Sequence, residues 1–229
     1  MIAGLQKMTL LDYPGKVAAT VFIGGCNFRC PYCHNASLLH PANDAHEITE
    51  DTVLAFLKSR KGLLDGVCVT GGEPLLWDGL KAFLRKVKEM GFLVKLDTNG
   101  TRPDTLKALV REGLVDSVAM DLKHAPGKYA LAAGTKADVL PAVRESVSYL
   151  LTGAVPCEFR TTVVRDMHTL EDLVEIGKWI QGADAYYLQN FENSADVLTP
   201  GLQGFEMPEL QAFADAVRPF VPGARVRGS

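Results

Sequence analysis

Short runs rich in β-branched residues alternate with helical stretches along most of the 229 residues, and this alternation limits the possible fold more than any other feature. Such runs predict six strands, at 16–23, 67–70, 92–96, 116–120, 157–164 and 186–189. Between and after them, apolar residues recur at the spacing of a helix. Thr49 and Asp78 are expected to cap the first two helices, and Gly91 to end the second. Strands that alternate with helices indicate parallel pairing through right-handed crossovers.

The number of strand–helix units leaves two architectures open, a doubly wound open sheet and an incomplete barrel. A full barrel of eight units takes roughly 250 residues, so six units suit an incomplete one, although periodicity does not choose between the two. In both, the site lies at the carboxyl ends of the strands. No repeat, low-complexity tract or linker divides the sequence. We therefore expect a single domain over residues 1–229, with its core at about 16–190 and a C-terminal helix and tail at about 205–229.

Composition limits the partners of the protein. The formal net charge of −3 gives no basic surface for nucleic acid or an anionic membrane, so we expect neither as a partner. The longest apolar stretch, 17–23, is far shorter than the roughly 20 residues of a membrane helix, and the first residues lack the pattern of a signal peptide. We expect a cytoplasmic protein whose partners are small molecules or other proteins.

Three of the five cysteines lie within eight positions, as C-x3-C-x2-C in the segment GGCNFRCPYCHN. Cys26, Cys30 and Cys33 do not resemble the spread cysteines of a secreted disulfide framework, and in a reducing compartment such a group more often holds metal. Three thiolates would leave the fourth iron of a 4Fe-4S cluster without a protein ligand. That open position would allow a cofactor to bind the cluster directly, as it does at catalytic zinc.

Three other interpretations of these cysteines stay open at the level of spacing. Cys30 and Cys33 form a C-x-x-C dithiol, which would suit a thiol oxidoreductase or electron-transfer module. With His34 they match the attachment pattern of c-type haem, which normally goes with export. A structural zinc site could use the three cysteines together with His40 or His46.

Polar and small residues follow most of the predicted strands, at the edge where a site is expected. The Gly71-Gly72-Glu73-Pro74 loop follows the second strand, Asp97-Thr98-Asn99 the third, Asp121 and Lys123 the fourth, and Gln189-Asn190 the sixth. Taken singly, the aspartates could cap loops, Lys123 could lie on the surface, and strand alternation leaves the direction of Arg160 open. Cys68 and Cys157 are most simply buried small residues, and His124 and His168 suggest only loop polarity.

Five ordered motifs, GLQKMTLLDYPGK, GGCNFRCPYCHN, TGGEP, LDTNG and MDLK, resemble the radical S-adenosylmethionine superfamily. Among its members, the chain resembles the activating enzymes of glycyl-radical enzymes, most closely those of anaerobic ribonucleoside-triphosphate reductase. The resemblance implies an α/β fold, namely an incomplete, laterally open (β/α)6 parallel barrel. It also implies one 4Fe-4S cluster and S-adenosylmethionine, whose cleavage yields methionine and a 5'-deoxyadenosyl radical that removes a hydrogen from a glycine of a partner enzyme. Flavodoxin or ferredoxin would supply the electron.

The resemblance also implies roles for individual residues. The three cysteines would hold the cluster, with Asn35 beside it, and Tyr32 would lie against adenine. The loop of Gly71, Gly72 and Glu73 would receive the methionyl amino group. Lys123 would meet the carboxylate of S-adenosylmethionine, and Arg160 and Gln189 would line the cofactor pocket. Asp97, Thr98 and Asp121 would form a site for a small monovalent or divalent cation. A second candidate is a radical enzyme that acts on a small molecule, such as a deazapurine synthase.

Overall fold

The computed structural model describes residues 1–39 and 48–227. Its strands are β1 Ile2–Thr9, β2 Ala18–Ile23, β3 Gly66–Gly71, β4 Leu93–Thr98, β5 Ser117–Asp121, β6 Cys157–Val163, β7 Tyr186–Asn190 and β8 Ala224–Arg227. Its α-helices are α1 Glu50–Ser59, α2 Leu80–Glu89, α3 Pro103–Arg111, α4 Tyr129–Ala132, α5 Leu140–Leu150, α6 Leu170–Trp179 and α7 Met207–Val217. Short 3-10 turns cover Ala36–Leu38, Pro74–Leu76 and Pro126–Lys128.

The strand order begins with β1 and ends with β8, so the sheet is open rather than closed. β1 pairs antiparallel with β2, whereas β2, β3 and β4 pair in parallel, as do β6, β7 and β8. The prediction of an open, parallel α/β fold is therefore confirmed. All six predicted strands are present within a few residues of their expected bounds, and β1 and β8 are additional.

Two compact units make up the described chain. Unit 1 comprises Met1–Cys26, Ser37–Thr98 and Arg102–Val118, and unit 2 comprises Asn27–Ala36, Asn99–Thr101 and the chain from Ala119 onward. Each unit is assembled from separate stretches of sequence. The single domain over residues 1–229 stays a prediction.

The sheet of unit 1 has one apolar face and one polar face, and both are buried. Val21, Val69 and Leu96 are partners across β2, β3 and β4, and none of them is accessible to solvent. On the other face, Thr20, Cys68 and Lys95 form the neighbouring row and are equally inaccessible, with Lys95 only 1% exposed. A lysine in such a row requires an opposite charge nearby.

In unit 2 the faces of β6 and β7 differ in the same way. Phe159 and Tyr186 are partners on an inaccessible face that is mostly apolar, and Arg160 and Tyr187 form the next pair, on the opposite face. Helix α6 turns its buried residues, including Ile176, toward the core of this unit. The more polar of the two faces is thus the one that carries Arg160.

Helix termini follow the sequence predictions in part. The Thr49 side chain accepts a hydrogen bond from the Thr52 amide, so it caps α1 as predicted. Gly91 follows the end of α2 and has a φ of 90°, which suits a helix stop. The prediction that Asp78 caps α2 is wrong, because Gly79 occupies the N-cap position and no side chain caps this helix.

Within the part of the chain that the structure describes, no helix combines the length and the apolar character needed to span a bilayer.

Candidate functional site

The cysteine loop begins at the end of β2 and runs from unit 1 into unit 2 after Cys26. None of the five cysteines, all of which the structure describes, forms a disulfide, and Cys30 is buried while Cys26 and Cys33 are partly exposed. The Cys33 amide donates to the Cys30 carbonyl at 3.0 Å, which closes a turn over the C-x-x-C segment. The loop therefore offers reduced sulfur ligands on a backbone with a defined turn.

The Gly-Gly-Glu-Pro loop of unit 1 packs directly against the backbone that leads into Cys26. The Gly72 amide donates to the Ile23 carbonyl and the Glu73 amide to the Gly25 carbonyl, both at 2.8 Å. A Cβ atom on Gly72 would lie 2.0 Å from the Gly25 oxygen and 3.3 Å from the Cβ of Cys26. Only glycine permits this approach. Two motifs recognised separately in the sequence are thus in contact.

Glu73 connects this loop to the end of β4. Its side chain is buried, and its Oε1 accepts from the Thr98 hydroxyl at 2.7 Å and from the Leu75 amide at 3.0 Å. The Thr98 side chain is therefore oriented by Glu73. An amino group is a hydrogen-bond donor, so the loop would have to receive it with carbonyl oxygens rather than with these amides.

Asp97 lies one residue before Thr98 on β4, and it forms an ion pair within unit 1. Its Oδ1 lies 2.5 Å from the Nζ of Lys95, whose side chain is 1% exposed. Capping a loop would not account for this ion pair, so Asp97 has a role besides any cap. Lys95 was not singled out from the sequence, because an isolated lysine in a strand carries no signal of burial.

Asp121, at the end of β5, is the centre of a charged group in unit 2. Its Oδ1 accepts from Arg160 Nε at 2.9 Å, and its Oδ2 accepts from Lys123 Nζ at 3.2 Å. Burial alone would raise the pKa of Asp121, but the charges of Arg160 and Lys123 outweigh it and hold that pKa well below its ordinary value. Burial would likewise lower the pKa of Lys123, yet Asp121 keeps it well above the ordinary value. Both groups are charged at neutral pH.

Tyr32, between the second and third cysteines of the motif, is fixed to the backbone of Lys123. Its hydroxyl donates to the Lys123 carbonyl at 3.1 Å, and its ring meets His168 edge to face at 6.3 Å between centroids. His168 Nε2 lies 3.0 Å from the same carbonyl. The Lys123 carbonyl thus accepts from two side chains. The contact of Tyr32 with adenine stays a prediction.

Two stacked histidines in unit 2 are features that sequence reasoning missed. His124 and His168 lie 4.6 Å apart with nearly parallel rings, and both are buried. Burial, together with His124, lowers the pKa of His168 to about 4. The Val164 amide donates to His168 Nδ1, so the neutral ring carries its proton on Nε2, facing Lys123. No sequence pattern marks either histidine, because each also contacts a backbone carbonyl more than 40 residues away, His124 that of Met167 and His168 that of Lys123.

Two of the remaining predicted residues of unit 2, Arg160 and Gln189, lie on strands of its sheet. The side chain of Arg160 is only 13% exposed, so it points away from bulk solvent. Glu158, two residues earlier on β6, forms a two-pronged ion pair with Arg227 of β8 at 2.9 and 2.7 Å. Gln189 is the strand partner of both Thr162 and Arg227. Asn35 is partly buried in the turn after the cysteine loop. The roles of Arg160, Gln189 and Asn35 toward a cofactor stay predictions.

Thiolate ligands fit an iron-sulfur cluster better than they fit a single ion. In residues 1–39 and 48–227, no three His, Cys, Asp or Glu side chains are grouped to hold one metal ion. In a cluster with three cysteine ligands each thiolate binds a different iron, so the cysteines need not converge on one point. His40 and His46, the histidines that could complete a zinc site, lie outside the described residues. The two cysteines outside the loop are buried Cys68 and partly buried Cys157, whose pKa is raised to about 11 by burial, with Asp184 and Glu158 adding to it.

The predicted cation ligands each have side-chain partners within their own unit. Asp97 is paired with Lys95 in unit 1, and Asp121 with Arg160 and Lys123 in unit 2. The hydroxyl of Thr98 donates to Glu73. Each carboxylate thus has a side-chain cation against it within its own unit. The small-cation site at Asp97, Thr98 and Asp121 stays a prediction.

Comparison with known proteins gives a consistent family. The model described as the Radical SAM superfamily matches residues 20–180. A protein of Methanocaldococcus jannaschii, provisionally named a glycyl-radical enzyme activating enzyme, is 30% identical over 237 residues, spanning 99% of this chain and 95% of that protein. A pyruvate formate-lyase-activating enzyme of Clostridium pasteurianum is 34% identical over 54% of this chain and 52% of that enzyme. A 7-carboxy-7-deazaguanine synthase of Methanopyrus kandleri is 32% identical over 50% of this chain and 53% of that enzyme.

The fold is shared with solved structures whose sequences have diverged. The crystal structure of Streptococcus suis SuiB bound to precursor peptide SuiA superposes with a TM-score of 0.73 at 14% identity, over 91% of this chain and 48% of SuiB. The matched region spans about half the length of SuiB, of the Clostridium pasteurianum enzyme and of the Methanopyrus kandleri synthase. With a family model over most of its length and a relative aligned from end to end, the chain belongs to the radical SAM superfamily and, within it, to the glycyl-radical enzyme activating enzymes.

Proposed function

We propose that this chain activates anaerobic ribonucleoside-triphosphate reductase, with Cys26, Cys30 and Cys33 as ligands of one 4Fe-4S cluster. When bound, the reduced cluster and S-adenosylmethionine supply a 5'-deoxyadenosyl radical that removes a hydrogen atom from a glycine of the partner. The relative that aligns over 99% of this chain supports an activating role. The choice of partner rests on the resemblance of the opening segment GLQKMTLLDYPGK to activators of that reductase.

The observation that carries this proposal is the contact in unit 1 between the Gly-Gly-Glu-Pro loop and the start of the cysteine loop. Gly72 approaches Gly25 and Cys26 so closely that no side chain fits between them. Carbonyl oxygens of this loop would therefore lie beside the first cluster ligand, where an amino group bound to the cluster needs acceptors. The glycines are explained by this approach, whereas a dithiol module would not require them.

In unit 2, the protein would hold the carboxylate of S-adenosylmethionine with a fixed positive charge. Lys123 is charged at neutral pH and is held by Asp121, which also orients Arg160. Tyr32 and His168 hold the backbone carbonyl of Lys123, and Asp121 holds its ammonium group. Because Tyr32 belongs to the C-x-x-C segment, Lys123 is kept next to that segment. Asn35 and Gln189 are the further residues that we propose for the cofactor pocket. Such preorganisation lowers the entropic cost of binding.

The test begins with anaerobic reconstitution by iron and sulfide, reduction, and an assay for 5'-deoxyadenosine. Cys30→Ala is expected to abolish the cluster absorbance and the product, while Cys157→Ala, outside the motif, should keep both. Mixing the active protein with the reductase should then produce the electron-resonance doublet of a glycyl radical. A protein that binds one zinc and no iron would contradict the cluster assignment, and cleavage without the doublet would contradict the choice of partner.

A second candidate function is action on a small heterocycle, which the likeness to a 7-carboxy-7-deazaguanine synthase over half of the chain favours. The same reconstituted protein distinguishes the two. Stimulation of 5'-deoxyadenosine formation by a pterin-like or deazapurine compound, with no effect on any glycyl-radical enzyme, would support this second function.

Flavodoxin or ferredoxin is the electron donor that we propose, and the cytoplasm is the proposed location. Replacing chemical reductant with purified flavodoxin and its reductase in the cleavage assay tests the donor.

A further inference from the structure

Lys95 is a buried lysine that neither the sequence motifs nor the proposed reaction accounts for. It lies on β4, two residues before Asp97, so both side chains are on the same face of the sheet in unit 1. Its Nζ is 2.5 Å from Asp97 Oδ1, and the exposed fractions of the two side chains are 1% and 11%. A lysine buried to this extent keeps its charge only when an opposite charge compensates it.

The surroundings of Lys95 on this face are polar. Cys68 is its partner on β3 and Thr20 is the next residue along the row, on β2. The Thr20 hydroxyl donates to Asp12 Oδ2 at 2.5 Å, which brings a second carboxylate to the same row. Lys95 thus lies in a row of polar residues, with the Asp97 carboxylate against its ammonium group.

Asp97 is one of the residues to which the family resemblance assigns a small cation, together with Thr98 and Asp121. In unit 2, both oxygens of Asp121 are occupied, by Arg160 and by Lys123. In unit 1, a metal ion could reach Asp97 Oδ1 only by displacing the ammonium group of Lys95, because two cations at this distance repel strongly.

We propose that Lys95 takes the place of a bound metal ion at Asp97, so that this protein needs no added small cation. The inference rests on the proposed function only in assigning Asp97 to the cofactor site. A tethered ammonium group compensates the carboxylate at every salt concentration, whereas a bound ion does so only above its dissociation constant. Lys95 is in this sense a positioning residue, since it holds Asp97 rather than touching the cofactor.

The first test uses the cluster-loaded protein itself. Its thermal unfolding midpoint is measured in choline, sodium and potassium chloride at one ionic strength, and with added magnesium chloride, and its metal content is measured after desalting. We expect the same midpoint in every salt and no stoichiometric metal besides iron. A cation present at about 100 times its dissociation constant raises the midpoint of a protein of this size by roughly 5 °C or more. A saturable rise of that kind, or one retained equivalent of another metal, would overturn the proposal.

The second test removes the ammonium group with Lys95→Met, which keeps most of the side-chain volume. This variant should unfold at a lower temperature and should gain a saturable stabilisation by sodium, potassium or magnesium, because Asp97 then lacks its cation. The matched control is Lys88→Met, which breaks another ion pair of unit 1, between Lys88 and Asp116 at 2.6 Å, and leaves Lys95 and Asp97 unchanged. If Lys95→Met responds to cations no more than Lys88→Met does, the proposal is wrong.

Two further points of design cover a variant that fails to fold and separate this proposal from the proposed function. Should Lys95→Met not fold, the wild-type measurement decides alone, and Lys95→Arg, which keeps a cation, must be as insensitive to salts as the wild type. The readouts are unfolding and metal content, not cleavage of S-adenosylmethionine. A protein that cleaves S-adenosylmethionine but requires added potassium overturns only the role of Lys95. A protein that shows no cation response and never cleaves overturns only the proposed function.

Discussion

At the scale of single residues, the site depends on side chains that hold other side chains. Thr98 donates to the buried carboxylate of Glu73, which in turn accepts from the Leu75 amide in the Gly-Gly-Glu-Pro loop. Thr98 thereby connects the end of β4 to the loop that packs on Cys26. Thr98, which was predicted as a cation ligand, thus also makes a hydrogen bond within the fold. The contribution of that bond to stability can be measured without any cation.

Replacing Thr98 with valine should therefore lower the free energy of unfolding by about 1–3 kcal/mol, because Glu73 loses a donor while the shape is kept. Denaturant unfolding of the two proteins measures this difference. Thr105→Val is the matched control, since Thr105 is exposed on α3 and its replacement should change stability by no more than about 0.5 kcal/mol. Equal effects of the two substitutions would contradict the importance of the Glu73 contact.

Residue types and spacing were enough to predict which side chains are candidate site residues. They were not enough to predict the hydrogen bonds and ion pairs that hold those side chains in place. The three cysteines, the Gly-Gly-Glu-Pro loop and the charged residues after β4 and β5 are recognisable because their order along the chain is distinctive. Lys95 and His168 are not, since the burial of Lys95 and the contact of His168 with the distant Lys123 carbonyl leave no local pattern. The pairing of Asp121 with Arg160 also joins residues 39 positions apart. Such contacts depend on strand register, which the sequence specifies only through the whole fold.

At the scale of elements, runs rich in β-branched residues predicted the six strands. The two additional strands have weaker patterns. β1 contains Gly4, Gln6 and Lys7 and exposes much of its middle, and β8 has four residues, two of them arginines. Edge strands of this kind are stabilised by pairing with a neighbour rather than by their own hydrophobicity. The starts of the helices were predicted from capping residues. Thr49 and Thr169 cap α1 and α6, whereas Asp78 does not cap α2.

The cap of α6 should be worth more than the cap of α1. Thr169 and Asp172 form a reciprocal capping box, and Asp172 also accepts from Lys128 at 2.8 Å. Thr49 makes a single cap bond to the backbone. Thr169→Ala should therefore lower the free energy of unfolding by about 1–2 kcal/mol, and Thr49→Ala by about 0.5–1 kcal/mol. Chemical denaturation of both variants gives the comparison, and a larger loss for Thr49→Ala would refute it.

At the scale of the whole molecule, the ion pairs of Asp121 and the burial of His168 contribute to how stability depends on pH. Asp121 has a pKa below its ordinary value because Arg160 and Lys123 outweigh the effect of burial. Its folded state thus binds a proton less readily than the unfolded chain, so its contribution is complete above the unfolded pKa of 3.8 and is lost as pH falls below it. His168 acts in a higher window, since its pKa is lowered from 6.5 to about 4 by burial and by His124.

As pH falls from 6.5 toward 4, the unfolded chain protonates His168 while the folded protein does not, so stability should decline by at most about 3 kcal/mol from this group. His168→Gln, which cannot titrate, should be less stable at neutral pH but should show a flatter decline between pH 7 and 5. Leu173→Ala is the control, because it weakens the buried face of α6 without removing a titrating group and should shift the curve without flattening it. Denaturant unfolding at several pH values measures the three slopes. Equal slopes in the wild type and His168→Gln would show that the fold does not keep His168 neutral and that His168 has no part in the acid sensitivity of the protein.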